Sequence, residues 1–152
     1  MLSIGRSTRH ATPVTSGGWA DLLRAEDRHV ETQGFGAGVL LVHYATELLG
    51  VIDDDDRNLS EAAILAVIDR HLGWTDRTAM VGAGRLGVVV VPVDDALALG
   101  RRARDLHRDL RGCGVAVDVA YSIRRRSGGL IAAAARADAA LDGALARRSR
   151  RL

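Results

Sequence analysis

The stretch "VGAGRLGVVVVP", residues 81–92, decides the fold. Gly82, Gly84 and Gly87 fit G-x-G-x-x-G, the pattern that holds a dinucleotide pyrophosphate over a helix N-terminus. That reading requires a helix to begin inside the glycine run, because helix-terminal amides face the phosphates. Here Val88, Val89, Val90 and Val91 follow directly, and Pro92 closes the run. Consecutive β-branched residues favour strand over helix, and proline breaks a helix that has begun. The fingerprint also wants an acid about 20 residues further on, for the ribose. That neighbourhood holds the arginine-rich segment 101–111 instead. Residues 78–82 and 86–92 are therefore predicted as the strands of a hairpin whose glycines allow a tight turn. The dinucleotide reading fails.

Working outward, "VLLVHY" (39–44) is a short apolar run bounded by turn residues and reads as a buried strand. Residues 114–123, "GVAVDVAYSI", alternate like another. Residues 19–31 carry Leu22, Leu23 and Val30 among charges, as an amphipathic helix does, and 45–52 also read as helical. Asn58 and Glu61 have capping-box spacing, which opens a helix through "EAAILAVIDRHLG" to Gly73. From Asp94 onward, Leu99, Ala103, Leu106 and Leu110 form one stripe opposite Arg101, Arg104, Asp105 and Arg108, with Arg101 and Asp105 spaced to pair. An alanine-rich helix follows Gly128. The order is helix, strand, helix, helix, strand, strand, helix, strand, helix: an α+β chain with a mainly antiparallel central sheet flanked by helices.

Composition sets the bounds. The 152 residues suit one domain with a core, 47% are hydrophobic and 26% charged, and aromatics make up only 3%. All 21 basic side chains are arginine, so lysine-dependent chemistry is excluded. A net charge of +2 is not that of a polyelectrolyte. Cys113 is alone, which rules out an internal disulfide and suits a reducing compartment. No long apolar run marks a signal peptide or a membrane span, so cytoplasmic residence is the expectation. Residues 1–18 read as a flexible leader and 147–152 as a solubilising basic tail, with one domain over 19–146.

The hairpin and its surroundings carry a resemblance. The chain resembles the GGDEF domains, diguanylate cyclases that condense two GTP into cyclic di-GMP. Gly82-Ala83-Gly84-Arg85-Leu86 stands in the slot of the five-residue motif. "VAVDVAYSI" (115–123) is similar to the family's "VTVSIGVA" strand, and "RADAALDGAL" (136–145) to its "ADAALYRAK" helix, with Asp142 in the Tyr place and Leu145 in the Lys place. The resemblance spans residues 36–146 and implies a GGDEF, nucleotidyl-cyclase-like fold with a ferredoxin-like β-α-α-β-β-α-β core.

The departures from that family bear on chemistry. Cyclases of this kind hold divalent cations on carboxylates, which neutralise and align the reacting groups. Here His43 occupies the first-strand acid slot and Ala45 the next, while Gly84 and Arg85 occupy the hairpin slots. The family's guanine-reading Asn and phosphate-binding Lys have no counterparts in "TELLGVI" (46–52). Its inhibitory Arg-x-x-Asp site is reduced to Gly73-Trp74-Thr75-Asp76, without the guanidinium fork that recognises phosphate and guanine. The start motif Leu-Thr-Gly-Leu-x-Asn-Arg is absent. The resemblance therefore implies a degenerate, non-catalytic domain of cyclic di-GMP-type signalling that acts through a protein partner or self-association. Expected are no catalytic residue, no metal and no cofactor. The alternatives are a guanine-nucleotide or cyclic di-GMP sensor, and a half-site cyclase completed by a partner chain. Positions that would touch a ligand are Gly82, Gly84 and Arg85 at the old motif loop and His43 at the end of the first strand.

Other patterns carry less. Asp53–Asp56 with Glu61 lack the alternating ligands and glycine turn of a calcium loop and read as a solvated loop before a capped helix. His10, His29, His71 and His107 show no metal-ligand spacing. Nothing orients Asp118 and Ser122 as parts of a triad. The terminal "ARRSRRL" lacks the stacking aromatics of a nucleic-acid binder, so nucleic acid is not an expected partner. Arg85 reads as an exposed turn arginine.

Overall fold

The computed structural model describes residues 16–44, 54–113 and 116–150. Its elements are α1 (Ser16–Gln33), β1 (Gly38–Tyr44), α2 (Asp54–Arg70), β2 (Arg77–Gly82), β3 (Arg85–Val90), α3 (Ala96–Leu110), β4 (Val117–Ile123) and α4 (Gly129–Arg150). The four strands form one sheet in the order β2-β3-β1-β4, antiparallel throughout. The α+β reading and the hairpin over the glycine run both hold.

Strand β1 lies inside the sheet and is covered on both faces, which is why "VLLVHY" is apolar without alternation. Leu40, Val42 and Tyr44 join Ile64, Val67 and Ile68 of α2 and Leu99, Ala103, Leu106 and Leu110 of α3 in one core. Val39 and Leu41 join Trp19, Leu23 and Val30 of α1 and Leu130, Ala133, Ala137 and Leu141 of α4 in the other. Each fully buried Leu, Ile or Val contributes roughly 1.5–3 kcal/mol relative to exposure, so two aliphatic layers supply what the scarce aromatics do not. Tyr44 in the first layer and Trp19 in the second are aromatic, and the Trp19 ring covers the bare backbone of Gly87; a Cβ there would lie 2.6 Å from Cη2.

Polar groups join the layers at defined points. Asp27 on α1 accepts from the Leu130 amide at the start of α4 at 2.9 Å and from Arg124 Nε at 2.6 Å, so a single carboxylate caps one helix from another. Asp95 caps α3 through the Ala98 amide at 2.8 Å. Asp76, buried before β2, accepts from the Gly73 amide at 2.7 Å, the Val91 amide at 3.0 Å and Arg102 Nη2 at 2.8 Å.

Several boundaries differ from expectation. The first helix begins at Ser16, inside the expected leader 1–18, and runs past residue 31 to Gln33. Helix α2 begins at Asp54, so Asp54–Asp56 form its first turn and Asn58 lies within it rather than capping it. Carboxylates in a first turn are favoured by the helix dipole, a signal that competes with the capping box. The expected tail 147–152 is helical as far as Arg150, because alanine and arginine are strong helix formers. Arg101 does not pair with Asp105; Arg108 does, at 3.3 Å. The expected helix over 45–52 lies outside the described residues. Among the described residues no helix is long and apolar enough to cross a membrane.

Candidate functional site

The hairpin turn falls on Ala83 and Gly84, between the paired residues Gly82 and Arg85. Gly84 takes φ +67°, a conformation in which a Cβ is strained, so glycine is required there. Gly82 has open space where a Cβ would stand and ordinary φ, so its side-chain absence is not demanded by the turn. The Gly84 carbonyl accepts from the Tyr44 amide at 2.8 Å, which fixes the turn against the end of β1.

The pairing register then brings distant residues into one row. Arg85 lies opposite His43, and His43 lies opposite Asp118. Strand alternation puts these three on the same face as Val39 and Leu41, the face covered by α1 and α4. Arg85, with 16% of its side chain exposed, reaches α4: Nη1 stands 2.5 Å from Asp138 Oδ1 and Nη2 3.1 Å from Asp142 Oδ1. At the far end of the row, Arg148 pairs with Asp118. Arg85 and Arg148 thus face Asp138, Asp142 and Asp118 in a nearly self-neutralised cluster beneath the C-terminal half of α4.

This corrects the reading of Arg85 as an exposed turn arginine. It is the first residue of β3, and its guanidinium clamps the hairpin to α4. The sequence held a partial signal: Asp138 and Asp142 are spaced i, i+4 and so share one face of a helix. What it did not hold was a link across 53 residues. His43 is half-buried between Arg85 and Asp118. Its neighbour Tyr44 points to the opposite face, where burial above all, then the negative charge of Glu61 and a hydrogen bond to it, push the phenol up to about 12. Asp76 is consumed by two backbone amides and Arg102. Ser122 accepts from Arg136 at 3.0 Å while Asp118 pairs with Arg148, so those two are not coupled. His71 bonds Asp109 at 2.8 Å, His107 bonds the Val117 carbonyl at 3.3 Å and His29 stacks on Phe35. Ala45 and "TELLGVI" lie outside the described residues. Among the described residues no three His, Cys, Asp or Glu side chains converge as a metal-binding group.

Solved structures share this fold. The GGDEF domain of DgcB from Caulobacter crescentus, in complex with c-di-GMP, superposes with a TM-score of 0.75 over 88% of this chain and 85% of that one, at 14% identity. The chain has the GGDEF-domain fold. The GGDEF domain of YfiN (TpbB) from Pseudomonas aeruginosa gives a TM-score of 0.72 at 15% identity, with 91% of this chain and 92% of that one covered. The diguanylate cyclase SiaD from the same organism, in complex with its activator SiaC, gives 0.73 at 16% identity, covering 98% of this chain and 63% of that one. No protein-family model matches the sequence, and no curated protein matches it. In this GGDEF fold the β2–β3 hairpin stands as expected, with Arg85 locked to α4.

Proposed function

We propose that this chain is a GGDEF-like regulatory domain of cyclic di-GMP-type signalling that has lost cyclase activity and works by engaging a protein partner or a second copy of itself. The observation that carries this is Arg85, which stands in the motif slot of an acid and has Asp138 and Asp142 as partners. A guanidinium cannot ligate a cation, and its positive charge opposes metal binding at that place. The Arg85 guanidinium engages both carboxylates on α4 and cancels one of their two charges, which counts against their replacing the lost acids. The existence of a complex between SiaD and a protein activator supports partner engagement as a mode open to this fold.

The same pairs count against Arg85 as a phosphate receptor, because a phosphate there would have to displace Asp138 and Asp142. Asp76 is similarly committed, which weighs against a cyclic di-GMP sensor at the old inhibitory motif. The test is to incubate the purified chain with GTP and Mg²⁺, resolve the nucleotides by chromatography, and follow thermal unfolding with GTP and with cyclic di-GMP. No product and no shift are expected. Cyclic di-GMP production would overturn the reading. So would nucleotide stabilisation, which amounts to about 2.7 kcal/mol at 100 times the dissociation constant.

A further inference from the structure

Strand β4 is the outer strand of the described sheet, paired with β1 over seven registers from Val117 to Ile123 without a bulge. Edge strands of this kind template the addition of another strand unless they are blunted by proline, bulges or covering elements. The Arg124 amide bonds the Ala37 carbonyl at 2.8 Å, so the antiparallel alternation turns the backbone groups of 118, 120 and 122 toward β1. Those of Val117, Val119, Tyr121 and Ile123 face outward. Two of these outward carbonyls are already met at the strand ends: Val117 O by His107 at 3.3 Å and Ile123 O by Arg136 at 2.9 Å. Val119 and Tyr121 are left between them with outward amides and carbonyls that no described residue meets.

This open segment is the floor of a groove of about 700 Å³, walled by α3 on one side and α4 on the other. The walls differ. Helix α3 contributes Arg104 and Arg108, with Arg111 just beyond its end, and helix α4 contributes Leu141, Ala144 and, at its far end, Arg147. Arg108 is shared with Asp105 and Asp109, whereas Arg104, Arg111 and Arg147 have no ion pair among the described residues. Asp118 is the acid in the groove and is held by Arg148. We infer that the groove takes an extended acidic peptide segment of a partner protein, added to β4 as a further strand. In such a strand alternate side chains face opposite walls, so acids would face the arginines of α3 and small apolar residues the α4 wall. A second copy of this chain is disfavoured as occupant, because edge-to-edge pairing would set one arginine wall against another. The inference deepens the partner-engaging reading and stands on a different edge of the sheet from the hairpin.

The test is fluorescence anisotropy with a labelled peptide Gly-Glu-Val-Glu-Val-Glu-Val-Gly. Saturable binding is expected below about 1 mM, with at least tenfold weakening when Glu is replaced by Lys, when the peptide backbone is N-methylated at alternate residues, or in the exposed double variant R104E/R111E. Amide exchange at Val119 and Tyr121 should slow on peptide addition. Retained binding by the N-methylated peptide, or unchanged exchange at those amides, would overturn strand addition. No binding of the parent peptide, displacement by a single-stranded oligonucleotide, or a peptide-independent dimer in sedimentation that protects the same amides would overturn the acidic-peptide assignment. The result is independent of the nucleotide test: a domain that turns over GTP could still fill this groove, and an inactive one could leave it empty.

Discussion

Replacing Arg85 by alanine tests the clamp directly. The guanidinium donates to Asp138 at 2.5 Å and to Asp142 at 3.1 Å, and 16% of the Arg85 side chain is exposed against 43% and 62% for the two acids. Fully exposed ion pairs give about 0.2–1 kcal/mol, whereas hydrogen bonds to charged groups within a protein give about 1.5–3 kcal/mol. The Asp138 bond belongs nearer the second class and the Asp142 bond nearer the first. The variant also loses the packing of the arginine stem and leaves Asp138 and Asp142 repelling each other one helical turn apart. Together these put the expected loss near 2 kcal/mol. In a domain of this size that lowers Tm by about 4–8 °C. Urea unfolding followed by circular dichroism reads the change in midpoint at constant slope. A double-mutant cycle with D138A should give a coupling of about 1 kcal/mol or more, and the D142A coupling should be smaller. Arg85→Ala within about 0.5 kcal/mol of the parent, with no coupling to Asp138, would refute the clamp and return Arg85 to an exposed turn.

Asp76→Ala strands the Gly73 and Val91 amides and Arg102 around a buried site, and is expected to cost about 3–5 kcal/mol; a urea midpoint close to the parent's would refute that. Gly87→Ala drives a Cβ to within 2.6 Å of the Trp19 ring. It should destabilise by about 1–3 kcal/mol and shift tryptophan emission, with W19L relieving part of the loss; additive effects would refute the contact. Tyr44, pushed up to about 12 chiefly by burial, binds its proton more tightly folded than unfolded. Its contribution is complete below the ordinary phenol pKa near 10 and is lost as pH rises from there toward 12, on the order of 2 kcal/mol in all. Phenolate absorbance of a Tyr121→Phe background against pH checks it, and titration near 10 in the folded protein would sink it.

Much of the fold was legible because its signals are local. Four β-branched residues after the glycine run exclude a phosphate-binding helix whatever surrounds them. The stripe of Leu99, Ala103, Leu106 and Leu110 names its buried face by period alone, and all four are buried. Helix ends were less legible, since Asp54–Asp56 and Asn58 offer competing starts a few residues apart and α2 begins at the first of them.

What the sequence by itself determined is the hairpin and the helices and strands that the structure describes; that Gly84 and Arg85 stand where the GGDEF family has acids is what the resemblance implies. The tertiary structure alone decided what Arg85 does. Its partners lie 53 and 57 residues away, and they meet it only because α4 packs back over the β3 and β1 ends of the sheet. The same holds for Asp76, whose buried carboxylate is claimed by a helix 26 residues on, and for the groove at β4, whose arginine wall belongs to α3. Helix and strand propensity act over a few residues, whereas ion pairs and grooves are made by surfaces that chain order does not adjoin.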